Sequence, residues 1–96
     1  MEFNLIICSS TLEEEIMGFF KSNGITSYTV LPMAVGSGNG GGTRLDNEIW
    51  PGQNMVIMVC LHEKQHEVLR NWISEYRKQE TREGIKLFNL GLKEVL

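Results

Sequence analysis

The chain carries no excess of positive charge. Nine Lys and Arg stand against twelve Asp and Glu, a formal net charge of −3. A phosphate backbone is held by a basic surface, so nucleic acid is not an expected partner. Cysteine is scarce, and two in 96 residues cannot make the disulfide framework of a small secreted scaffold. No run approaches the ~18 consecutive apolar residues of a membrane span, so membrane insertion is not expected. The opening segment MEFNLIICSSTLEEE has an acid where a secretory leader has its basic region. A cytoplasmic location is the expectation.

What is present is ordinary globular composition, 42% hydrophobic and 22% charged, outside the range of disordered chains. The length predicts one domain over residues 1–96. A domain of this size buries only about 60–65% of its unfolded surface, where association between copies begins to help.

Hydrophobic periodicity orders the chain. FNLIIC (3–8) is a short apolar run with an abrupt polar stop, a buried strand. Ser10-x-x-Glu13 and Thr11-x-x-Glu14 read as capping boxes. Leu12, Ile16, Phe19 and Phe20 then share one helical face, and Gly24 sits where a C′ glycine belongs, so a helix is predicted over 11–23. ITSYTVLPMAV (25–35) is a second strand, at an edge or bulged because Pro32 cannot donate to a ladder. A long glycine-rich loop covers 36–52, NMVIMVCL (54–61) is a third strand, Val68, Leu69, Trp72, Ile73 and Tyr76 mark a second helix over 62–78, and IKLFNL (85–90) is a fourth strand.

The order β-α-β-β-α-β predicts an α+β, ferredoxin-like fold: a four-stranded antiparallel sheet of order 4-1-3-2 with both helices on one face. Two helices cover one face only. Yet Met55, Ile57, Val59 and Leu61 point one way while Val56, Met58 and Cys60 point the other. A second face this apolar is a costly exposure at roughly 1.5–3 kcal/mol per large side chain, and packing against other subunits resolves it.

Three patterns carry candidate chemistry. Gly36-Ser37-Gly38-Asn39-Gly40-Gly41 satisfies G-x-G-x-x-G after a strand, but no helix pattern follows, and the dinucleotide fingerprint requires one. An anion-binding nest and a flexible loop base both remain open for it. His62-Glu63-Lys64-Gln65-His66 matches H-E-x-x-H at a helix start, placing two imidazoles at i and i+4 for a divalent metal. No third ligand follows at a metzincin spacing, because Leu69 and Trp72 occupy those positions, so no catalytic residue is assigned. Cys8 and Cys60 are expected at opposite ends of the sheet as separate buried thiols.

NGITSYTVLPMAVGSGNGGG (23–42) and TREGIKLFNL (81–90) resemble the PII signalling family of small trimeric regulators, in what would be its second strand, the base of its T-loop, and its B-loop with fourth strand. The chain departs from the nucleotide-binding pattern: Asn39 stands where a basic residue follows Gly-x-Gly, Gly84 alone remains of the B-loop glycines, and no basic C-terminal segment follows. The phrase NEIWPGQNMVIMV is similar to a short-T-loop PII-like subgroup sometimes associated with metal efflux.

The resemblance implies a non-enzymatic homotrimer. It would bind a small effector, a nucleotide or other anion, between subunits. Gly36, Ser37, Gly38, Asn39 and Arg44 of one chain would face Gly84 and Lys86 of its neighbour. The 36–52 loop would act on a transporter or enzyme, with no cofactor required for folding. The architecture also resembles divalent-cation-tolerance trimers of the CutA type, to which His62 and His66 would matter as metal ligands.

Overall fold

In a computed structural model, residues 1–34 and 54–96 are described. The strands are β1 (Glu2–Ser9), β2 (Thr29–Ala34), β3 (Asn54–Leu61) and β4 (Ile85–Gly91), and the helices are α1 (Glu13–Ser22) and α2 (Glu63–Tyr76). They form one antiparallel sheet of order β2-β3-β1-β4. This is the predicted ferredoxin-like arrangement, with β1 and β3 inside and β2 and β4 at the edges.

Register settles which side chains share a face. Asn4 pairs with Val59, Ile6 with Ile57 and Cys8 with Met55, and all six are buried. They form a core with Leu12, Ile16 and Phe20 on the α1 side and Leu69 and Ile73 on the α2 side. The helices are joined by rings. Phe19 stacks on Trp72 at 4.6 Å between centroids, and Trp72 stacks on Tyr76 at 6.4 Å. Such pairs contribute roughly 0.5–1.5 kcal/mol beyond their buried area.

The start of α1 differs from the expected capping boxes. A 3-10 turn, Ser10–Leu12, precedes the helix, and Ser9 caps that turn by accepting from the Thr11 N–H. Leu12 then occupies the N-cap of α1 with no side-chain cap bond. Burial of Leu12 at 1% exposure holds the chain there, and Glu13, Glu14 and Glu15 fill the first turn, where the helix dipole favours acids. The other end matches expectation. Gly24 takes φ +70°, the Gly24 N–H donates to Lys21 O, and the Ile25 N–H donates to Phe20 O at 2.9 Å. This is a Schellman motif, closed by the buried pair Phe20 and Ile25.

The second strand is shorter than predicted, beginning at Thr29. Its pairing with β3 slips between Leu31 and Ala34, and Met33 there has φ 58°. Pro32 offers no N–H to the ladder, so the irregularity falls on it, at an edge. Among the described residues no helix is long and apolar enough to cross a membrane.

Candidate functional site

The sheet face away from the helices is set by the same alternation. Phe3, Leu5 and Ile7 of β1, Val56, Met58 and Cys60 of β3, Lys86, Phe88 and Leu90 of β4, and Leu31 of β2 stand on it. Phe88 is 43%, Leu90 49% and Leu31 50% exposed. No described element lies over it, and Lys93 to Leu96 are exposed instead of folding back across it. Among the described strand residues, Lys86 is the one charge on this face. It is half-buried and opposite Ile7.

Lys86 lies close to one end of the sheet. There Ala34, the last described residue before 35–53, pairs with Asn54, the first after it. Asn54 also pairs with Ser9, and the Ser9 N–H donates to Gly84 O at 2.9 Å. Gly84 is buried, and so are Ser9 and Asn54. Buried polar side-chain atoms among the described residues all have partners. The approach to Gly84 is tied down as well. The Glu83 N–H donates to the Tyr76 hydroxyl at 2.7 Å, and the Arg77 guanidinium donates to Ile85 O. Of the residues singled out from sequence, Gly84 and Lys86 thus meet at the end of the sheet from which 35–53 departs. Gly36, Ser37, Gly38, Asn39 and Arg44 lie outside the described residues.

The two histidines are not equivalent. His62 is the exposed N-cap of α2, whereas His66 is half-buried with Nδ1 2.9 Å from Asn4 Oδ1. Asn4 Nδ2 donates to Glu2 O, which fixes the amide orientation. Asn4 Oδ1 therefore accepts, and Nδ1 of His66 carries the proton. No group of three or more His, Cys, Asp or Glu is assembled among the described residues. Arg70 and Arg77 line the same cleft as His66, and their charge opposes a cation. Cys8 and Cys60 are both free and sit at opposite ends of the sheet, as expected, and on opposite faces; Cys8 is buried, whereas Cys60, expected to be buried, is only partly so because its face of the sheet is uncovered by any described element.

Sequence reasoning missed two features. One is the Asn4 network, since an asparagine in an apolar strand gives no hint of its partners across 62 residues. The other is an open groove of about 690 Å³ beside Met1, Tyr28, Met58 and Cys60, formed where the segment after α1 passes the far end of β3.

A model of the family "Nitrogen regulatory protein P-II" matches residues 2–96. Among solved structures, a PII-like signalling protein from Thermus thermophilus is similar at 24% identity and a TM-score of 0.62, covering 93% of this chain and 83% of that one. CPII from Thiomonas intermedia, a nitrogen regulatory PII-like protein solved with ADP, AMP and bicarbonate, is similar at 13% identity and a TM-score of 0.66, covering 99% and 94%. Its apo form gives 11% identity and a TM-score of 0.65, covering 93% and 87%. None of the curated proteins matches the chain. The structural likenesses speak for the fold, the family match spans all but the first residue, and the chain belongs to the nitrogen regulatory protein P-II family.

Proposed function

We propose that this chain is a single-domain, cytoplasmic, non-enzymatic regulator that assembles as a homotrimer. It binds a small effector between subunits and acts through the 36–52 loop on a transporter or enzyme. The observation that carries the reading is the uncovered apolar sheet face with Lys86 beside the end where the loop departs. Burying Phe88, Leu90 and Leu31 there against other copies removes exposed area worth roughly 25 cal/mol per Å².

The effector class follows from charge and from the relatives. In this reading Gly84 and Lys86 face Gly36, Ser37, Gly38, Asn39 and Arg44 of an adjacent subunit, a set that would supply positive charge and backbone donors. Such a cleft suits a nucleotide's phosphates or a smaller anion, and a PII-like structure has been solved with ADP, AMP and bicarbonate. An effector that contacts the loop in one conformation only shifts it toward that conformation, and the target reads the shift.

The experiment has two parts. Light scattering at micromolar concentration is expected to give three times the chain mass, and a monomer overturns the assembly. Calorimetric titration with ADP, AMP and ATP, each with and without bicarbonate, is expected to give saturable heat with at least one. Lys86→Ala should weaken that binding about tenfold, the size of one charge-assisted hydrogen bond. Heat from none of them overturns the site.

A further inference from the structure

The end of the sheet away from Gly84 gathers a different set of side chains. Phe3 pairs with Cys60 and Glu2 with Leu61, a register that runs on to set Met1 beside His62. Leu61 is buried on the helix side, so its neighbour Cys60 turns to the open face. The chain stays extended through His62, at φ −66° and ψ 159°, which returns the imidazole to the side of Cys60 two residues on, roughly 7 Å along the backbone. Met1, Cys60 and His62 line one cleft of about 280 Å³. Its other walls are the segment 24–27 and Gln65, whose amide nitrogen donates to Asn23 O at 3.4 Å and so ties α2 to the end of α1.

Two of these groups are unspent by the fold. Cys60 is free and only partly buried, in contrast to Cys8. His62 is exposed at the N-cap of α2 and makes no side-chain cap bond, although that position ordinarily holds a side chain that accepts from the first turn. A thiolate, a thioether and an imidazole are donors that suit Cu(I). No carboxylate is among the described residues of the lining, and no group of three or more His, Cys, Asp or Glu is assembled among the described residues. The set therefore falls short of the four-ligand tetrahedron of structural zinc, whereas Cu(I), with its filled d shell, is satisfied by two or three ligands.

We propose that the cleft at the end of β3 binds one Cu(I) ion, held by Cys60 Sγ and a ring nitrogen of His62, with Met1 Sδ as the third ligand. Binding replaces the Cys60 S–H bond with S–Cu and releases that proton to the buffer; copper stays Cu(I) and no electron moves. The site does not depend on the effector cleft, since β3 spans eight residues and separates the two by roughly 20 Å.

The test is an anaerobic titration of the full chain with Cu(I) held by the chromogenic chelator bicinchoninate. Each copy is expected to withdraw one Cu(I), and X-ray absorption at the copper edge to show sulfur and nitrogen ligands. Cys60→Ser and His62→Ala should each weaken binding at least about tenfold, while His66→Ala, one turn along α2 and outside the cleft, leaves it within about twofold. An excess of Zn²⁺ should not displace the copper. The proposal is overturned by a chain that leaves Cu(I) with the chelator, by unchanged affinity in Cys60→Ser or His62→Ala, by His66→Ala costing as much as His62→Ala, by a copper shell without nitrogen, or by displacement with zinc. Neither Cys60 nor His62 is buried, so both variants keep the fold, and circular dichroism checks it.

Discussion

At the scale of single residues, Cys8 and Gly24 make the sharpest statements. Burial pushes the Cys8 thiol up from 9.0 to about 12, because the core offers nothing to stabilise a thiolate. Between those values the unfolded chain loses a proton that the folded chain keeps. Stability from this group is therefore complete below pH 9 and drains away as pH rises toward 12. Urea unfolding across that range should show a decline that Cys8→Ala reduces. A profile identical in the variant would assign the decline to other groups. Gly24 has φ +70° with open space around it, so a methyl group meets no neighbour and only the backbone objects. Gly24→Ala is expected to destabilise by about 1 kcal/mol in thermal or urea melts.

Elements explain why some parts were legible in the sequence and others were not. The third strand was legible to its last residue because NMVIMVCL is bounded by polar residues on both sides. The Schellman end of α1 was legible from Gly24 alone, since a positive φ recruits glycine. Its start was not: Ser9, Ser10 and Thr11 are all good caps, and the choice fell to Leu12, whose burial decides where the helix begins. Val68 fits the helical stripe in sequence yet is 41% exposed, because α2 turns a narrower face to the sheet than its apolar pattern allows. Of the candidate site, Gly84 and Lys86 were singled out by phrase resemblance, and the structure places them near the end of the sheet where 35–53 departs. The cleft with Met1, Cys60 and His62 was invisible, because it needs the register that sets Met1 beside the end of β3. The segment joining α2 to β4 carries its own prediction. The Tyr76 hydroxyl holds the Glu83 N–H, so Tyr76→Phe should cost about 1 kcal/mol and speed hydrogen exchange at Glu83 well beyond its neighbours. Unchanged exchange there would show that the tether is idle.

At the scale of the whole molecule, the two faces of the sheet divide the labour. One is filled by helices. The other carries Leu5 at its centre, flanked by Met58 and Phe88 on the neighbouring strands. A carboxylate there would be buried without a partner in any face-to-face assembly. Leu5→Glu is therefore expected to convert the proposed trimer to monomers by light scattering, while the helical signal in circular dichroism persists. A trimer that survives the change would place the contact elsewhere.

The strand order has a further consequence for biogenesis. Glu2 pairs with Gly91 and Cys8 with Ile85, so among the described strands β1 lies beside β4, which is made long after it. A nascent chain stalled before residue 85 leaves β1 with a bare hydrogen-bonding edge in an apolar neighbourhood, a template for mispairing with other nascent chains. The β1 edge stays open until residues 85–91 have been made and can pair with it, and that interval is the one most exposed to aggregation.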